Sequence, residues 1–388
     1  MQQWARFAIL GAMFVVAYLL ILAWQKDYGH AETQPQPQQA AAVSHEVSAD
    51  LPNAQTASAA SDMPQANIAT QQPVTESKAS VNQQLISVQT DLYHLWINPK
   101  GGDIVRIELL NHDKSKDSNE AFVMLESDAK RTYVAQSGLI GLNGPDSNRS
   151  GRPMYEIEKS AYTLNDAKAV QTEDGKSIKV LTVPMVLKTA DGVEIIKTFT
   201  FKQGEYPVVV NHKVVNRSGQ NWQGQMFGQL KRDNSDDPGK SDQGIFTLGT
   251  FLGGAWGSPE EHYNKLKFAN FNEEKLNVEA KGGWVAMVQH YFVSAWIPGD
   301  LKLTQANGQP YVAKLESRKS TDDMNIIGFT SPTITVPAGT VAEIDATFYS
   351  GPKVQSELKE LATGLNQTVD YGWLWPCLLY TSPSPRDS

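Results

Sequence analysis

KSIKVLTVPMVLKT (176–189), GVEIIKTFTFK (192–202) and EYPVVVNHKVVN (205–216) follow one another almost without interruption. Each is rich in β-branched and aromatic residues and alternates with a period of two, the signature of a strand with one buried face. Asp174-Gly175 and Asp191-Gly192 supply tight turns, and Gly204 breaks the last pair. In the middle stretch Val193, Ile195, Lys197, Phe199 and Phe201 share a face. That face reads as buried, with Lys197 its exception.

The same pattern extends in both directions. LISVQT (85–90), LYHLWIN (92–98) and GDIVRIELL (102–110) are short apolar alternations, and AEIDATFYSG (342–351) alternates again. Strands this frequent, without helical periods between them, predict a mainly β domain over 85–350, a large antiparallel sandwich. One helix is expected after it. Gly351-Pro352 would open it, Val354, Leu358 and Leu361 would form its stripe, and Gly364 would close it. Two polar stretches read as loops, LNGPDSNRSGRP (142–153) and LKRDNSDDPGKSDQG (230–244). The acids Asp233, Asp236 and Asp237 in the second lack calcium-loop spacing and read as solvated.

Ahead of the β region, Phe7–Trp24 (FAILGAMFVVAYLLILAW) carries no charge. At ~1.5 Å of rise per residue a helix of that length covers about 27 Å, close to the hydrocarbon thickness of a bilayer. Trp4, Trp24 and Tyr28 flank it as interface anchors. The rival reading is a cleaved signal peptide, against which stand the length of the run and its bulky end. Acidic residues outnumber basic ones after the run, so residues 1–6 are expected in the cytoplasm and the remainder across the membrane. Residues 25–84 collapse to Gln, Ala, Ser, Thr and Pro and read as a disordered linker. Flexible coil of that length reaches about 40–45 Å.

Composition excludes several classes. The net charge of −8 and the absence of a basic block argue against nucleic acid as a partner. The single cysteine, Cys377, permits no internal disulfide. The seven histidines never fall at zinc-ligand spacing, and phosphate-loop, dinucleotide and serine-hydrolase motifs are absent, so no catalytic residue, metal or cofactor is expected.

The densest aromatic signal is KGGWVAMVQHYFVSAWIP (281–298). Trp284, Tyr291, Phe292 and Trp296 read as core, and His290 as structural, since no neighbouring residue completes an acid–base pair. FLGGAW (251–256) followed by PEEHYNKLKF (259–268) reads as a glycine-rich loop and a short amphipathic turn. Phe251, Trp256 and Tyr263 there are candidate partner-binding residues; the alternative is an ordinary loop with buried rings.

Taken with YVAQSGLIGLNGPD (133–146), RPMYEIEKSAY (152–162), FGQLKR (227–232), SPEEHYNKLKF (258–268) and TVDYGWLW (368–375), these stretches resemble the YidC family of bacterial membrane-protein insertases. The resemblance implies a mutarotase-like supersandwich in the periplasm, anchored in the inner membrane. It also implies association with SecD/SecF and the Sec translocon, a contact edge somewhere within 222–277, and nascent membrane proteins as clients of the full-length family. Residues 351–375 would then be a linking helix and the start of the membrane core. PCLLYTSPSPRDS (376–388) departs from the family and reads as a foreign or frameshifted tail, after which the family's substrate groove would be missing. On that reading this polypeptide would not insert proteins by itself. A second class of function, a periplasmic sugar-binding or mutarotase-like protein, rests on fold analogy and would require His212 or His290 to pair with a carboxylate in an open cleft.

Overall fold

The computed structural model describes residues 84–114, 119–148, 151–172, 174–238, 251–303 and 308–369. The expected anchor, the linker before residue 84 and the segment after residue 369 lie outside these residues.

Two 11-stranded sheets form the domain. In the first, the strands run Asn277–Lys281, Val312–Lys319, Asn325–Thr330, Trp222–Arg232, Thr132–Ile140, Ala121–Ser127, Asp103–Asp113, Tyr93–Asn98, Ile86–Gln89 and Ala161–Thr163, with Ile334–Val336 added beside Trp222–Arg232. Only the pairing of Ile86–Gln89 with Ala161–Thr163 is parallel. The second sheet runs Asn264–Leu266, Gly253–Gly257, Trp284–Val288, Phe292–Leu303, Val341–Pro352, Val208–Asn216, Val193–Lys202, Ser177–Lys188 and Glu156–Ile157, with two short strands off this path.

The alternation at 176–216 becomes three consecutive antiparallel strands. Lys197 stands opposite His212, and Phe199 opposite Val210. Val193, Ile195, Lys197, Phe199 and Phe201 are all buried, so the face predicted from the sequence, lysine included, is the one turned inward. Facing sheets meet through aromatic and aliphatic contacts. Gly228 leaves space that the rings of Phe329 and Trp296 fill, and the Trp296 indole donates to the Gln229 carbonyl at 3.1 Å.

Several expectations are corrected. The strand Val341–Pro352 runs through Gly351 and Pro352, which pair with Val293 and Phe292; the Tyr206 ring occupies the space a Gly351 side chain would need. The helix is therefore shorter, Gln355–Leu361, with buried Leu358 on its stripe, and Gly364 in the left-handed region at φ 83° before a 3-10 turn, Leu365–Thr368. Residues 253–257 are a strand rather than a loop. Glycines there allow close approach, because a side chain at Gly254 would strike Phe271 and Ile327. Leu230–Arg232 likewise belongs to a strand. Arg232 is fully buried because its guanidinium bonds the Ser235 carbonyl at 2.9 Å and Asp237 at 2.7 Å, and lies 5.1 Å from the Tyr133 ring. In the aromatic run Trp284, Phe292 and Trp296 are core, but Tyr291 is 71% exposed. It and His290 occupy the turn between Trp284–Val288 and Phe292–Leu303, outside the ladder that would have buried them.

Candidate functional site

Two features concentrate chemistry. The first lies where the first sheet parts. Strands Asp103–Asp113 and Thr132–Ile140 pair directly only at Ile104–Ala135. Around that gap the carbonyls of Gly101, Gly102 and Ser137 accept hydrogen bonds from side chains. Lys197, reaching across from the opposite sheet, donates to all three at 2.9, 2.9 and 2.8 Å. Arg152 donates to Gly101 and Ser137 at 2.9 and 2.8 Å, so two cations share two carbonyls. Its remaining N–H groups bind Asp146 Oδ1 at 2.5 Å and Asp103 Oδ2 at 3.1 Å. Asp146 Oδ2 also accepts from the Leu139 amide at 2.7 Å.

Burial sets the electrostatics here. It brings the Lys197 ammonium down to about 7, with Arg152 adding to the effect and Asp103 and Asp146 opposing it. Burial raises the Asp146 carboxyl against the pull of Arg152 and Lys197. Desolvation also works against charge on Arg152, but Asp103 and Asp146 outweigh it and hold the guanidinium charged. His212, beside Lys197 in the register, is pushed well below its ordinary value by burial, then by Lys197 and Arg152. Among the described residues neither of its ring nitrogens has a hydrogen-bond partner. This imidazole is fully buried, whereas the acid–base part that a mutarotase reading gives it calls for an open cleft. From the cluster a row of side-chain bonds continues across the sheet, Asp103 to Gln136 to Gln229 to Arg318, at 2.9, 2.9 and 2.7 Å. Sequence reasoning missed Asp103, Asp146 and Arg152. The one signal was Lys197, a lysine on an apolar face that demands distant acceptors.

The second feature contains the candidate partner-binding residues. Asn264–Leu266 is the edge of the second sheet, paired on one side with Gly253–Gly257. Leu266 is buried, and Lys265, on the opposite face, holds its ammonium 5.1 Å from the Phe251 ring and 5.9 Å from that of Tyr263. Tyr263 in turn stacks on Trp284 with centroids 6.2 Å apart. Phe251 and Tyr263 are thus brought together, half-buried, under one lysine. Trp256 is not with them. It alternates with Ala255 and Gly257 and shares the side of Gly254, whose missing side chain faces Phe271 and Ile327 in the interior. The intervening turn is held by Ser258, whose Oγ accepts from the Glu260 and Glu261 amides at 3.2 and 3.0 Å. A cation over two partly exposed rings at a sheet edge sets charge beside an apolar anchor, a pairing suited to recognition. Among the described residues no group of three or more His, Cys, Asp or Glu side chains is placed to hold a metal ion.

Comparison with known proteins identifies what the pattern matches. The family model of the YidC periplasmic domain matches residues 85–377. A membrane protein insertase YidC from Pseudomonas putida is 40% identical over 372 residues, covering 95% of this chain. One from Stutzerimonas stutzeri is 41% identical over 374 residues, again covering 95%. In both cases the chain spans 62% of the relative's length. Among solved structures, a galactose mutarotase related enzyme from Lactobacillus acidophilus is similar at 10% identity and a TM-score of 0.42, over 69% of this chain and 97% of that one.

Proposed function

The chain belongs to the YidC family, and from that membership we propose that it serves membrane-protein insertion as an anchored interaction module. On this reading the apolar run 7–24 pins it to the inner membrane with its N-terminus in the cytoplasm, and the two-sheet domain stands in the periplasm. Its work is contact rather than turnover of a small molecule. The observation that carries the reading is the family pattern, which runs through the whole double sheet. Phe251, Tyr263 and Lys265 form the contact face, with Trp256 supporting the strand behind it. The partners are the periplasmic parts of SecD/SecF and the Sec translocon, and nascent membrane proteins are the clients of the complete assembly.

A photo-crosslinking amino acid at position 251 or 263, in the full chain in inner-membrane vesicles, tests this. Adducts with SecD or SecF should form at both positions and be absent from Val170, which is exposed on a strand at the far side of the same sheet. Equal labelling at all three positions, or no adduct at 251 and 263, would remove the assignment of this face.

A further inference from the structure

The contact face is tied to the segment that follows the last long strand. After the last long strand, residues 353–369 turn back through Gln355–Leu361 and the 3-10 turn Leu365–Thr368. The start of that segment is held by the Lys353 amide, which donates to the Tyr291 carbonyl at 3.0 Å. Leu358, Leu365 and Thr368 are fully buried, and the Thr368 hydroxyl donates to the Leu365 carbonyl at 2.7 Å.

Its far end meets the turn 258–263 at two independent points. Trp284, on which Tyr263 stacks, donates its indole N–H to the Thr363 carbonyl at 2.8 Å. Gly364 adopts φ +83°, and the space where its side chain would lie is filled by the His262 carbonyl. That carbonyl also occupies the side-chain space of Gly257, the last residue of the strand beneath. The His262 backbone is therefore clamped between two glycines that admit nothing larger. Trp284 is fully buried and touches both Tyr263 and Thr363, so close packing passes a shift at one to the other.

We infer that turn 258–263 and segment 353–369 are one cooperative unit, with Trp284 its positioning residue, so that a partner held at Phe251 and Tyr263 changes the stability of segment 353–369. The coupling stands on the contacts above; only the part played by a partner rests on the proposed contact face.

Coupling between sites is reciprocal, which makes it testable from both ends. The full chain in lipid nanodiscs is followed by hydrogen exchange, with the strand Val208–Asn216 as the reference for folding. Ser258→Ala removes the hydroxyl that holds the turn. It should speed exchange of the Leu365, Gln367 and Val369 amides, which bond within segment 353–369, by roughly three- to tenfold, about what one lost hydrogen bond produces. Trp284→Phe keeps a ring and deletes the bond to Thr363; the Ser258 and Glu261 amides should then exchange faster by a similar factor. Where Trp284→Phe also loosens the reference strand, Gly364→Ala takes its place. A response confined to the mutated side, from either end, overturns the proposal. Lys265→Glu, far from that segment in sequence, separates the two ideas. It should abolish crosslinks without altering exchange at 365–369; loss of crosslinks here, together with Ser258→Ala and Trp284→Phe responses confined to their own sides, would leave the contact face standing and the coupling refuted.

Discussion

Replacing Lys197 by methionine isolates the cation that closes the first sheet from the inside. The thioether is close to the lysine stem in length and keeps the contact with the Phe199 ring, over which the ammonium sits at 5.3 Å. Of the three carbonyls Lys197 serves, Gly101 and Ser137 retain Arg152. The Gly102 carbonyl loses its partner. One orphaned buried carbonyl costs about 1–3 kcal/mol. Against this, the variant no longer has to desolvate an ammonium, and that relief depends on pH. Folded Lys197 titrates at about 7, below its ordinary 10.5, so between those values the unfolded chain holds a proton that the folded chain has released. Wild-type stability therefore rises with pH across that window, by about 1.4 kcal/mol per unit, and the contribution is lost as pH falls through 7. Lys197→Met removes the dependence. The variant should be within roughly 1–3 kcal/mol of wild type near pH 7 and fall behind by roughly a further 2 kcal/mol at pH 9. Urea unfolding of the chain in detergent, followed by tryptophan fluorescence at both pH values, measures the difference, provided the denaturant slope is unchanged. A gap that stays constant between pH 7 and 9 would mean that the ammonium keeps its proton inside the sheet. A variant more stable than wild type at both would mean that the three carbonyls contribute nothing.

His212→Leu should stabilise the domain by about 1–3 kcal/mol at pH 7, since it replaces a buried, unpartnered imidazole by an apolar side chain. The wild type should lose stability below the ordinary histidine value of 6.5, where the unfolded chain takes up a proton that folded His212 refuses, and thermal scans at pH 7 and 5 should show the leucine variant with a smaller loss. Gly254→Val would drive a side chain into Phe271 and Ile327, costing about 1–3 kcal/mol as overpacking, visible as a lower urea midpoint.

The sequence made the strands legible because a half-buried sheet writes its faces in steps of two. Val193–Lys202 carries that pattern over ten residues, and burial follows it residue by residue. The strand Gly253–Gly257 carried no such mark. Three of its residues lack side chains, and their absence is what lets Phe271, Trp284 and the Leu266 carbonyl come close. The helix was overextended at its start for a related reason: Gly351-Pro352 is ordinary helix-opening chemistry, and only the ladder with Phe292 and Val293 reveals it as the end of a strand. Tyr291 and Trp296 look alike in a string of aromatics, yet the turn at Gln289–Tyr291 puts one in solvent and the other against Phe348 and Phe329.

The buried ions show a different limit. Asp103, the pair Asp146 and Arg152, and Lys197 come from three separate parts of the chain, and the aspartates and the arginine would each pass for surface residues in their own segments; Asp146 and Arg152 sit in a stretch made wholly of turn formers. What brings them inside is a defect in the hydrogen-bond ladder, because two strands that meet only at Ile104–Ala135 leave carbonyls beside that point that must be paired. Arg152 and Lys197 answer that demand from opposite sides, and the two aspartates then answer Arg152. Arg232 repeats the logic beyond the end of its strand, where Ser235 and Asp237 receive it. Lys197 alone betrayed the arrangement, since a lysine in step with valine, isoleucine and phenylalanine must either break the face or find acceptors across the core. Its three bonds take the second course, which places the polar lock where two sheets and the 142–153 loop converge, away from the aromatic edge proposed for contact.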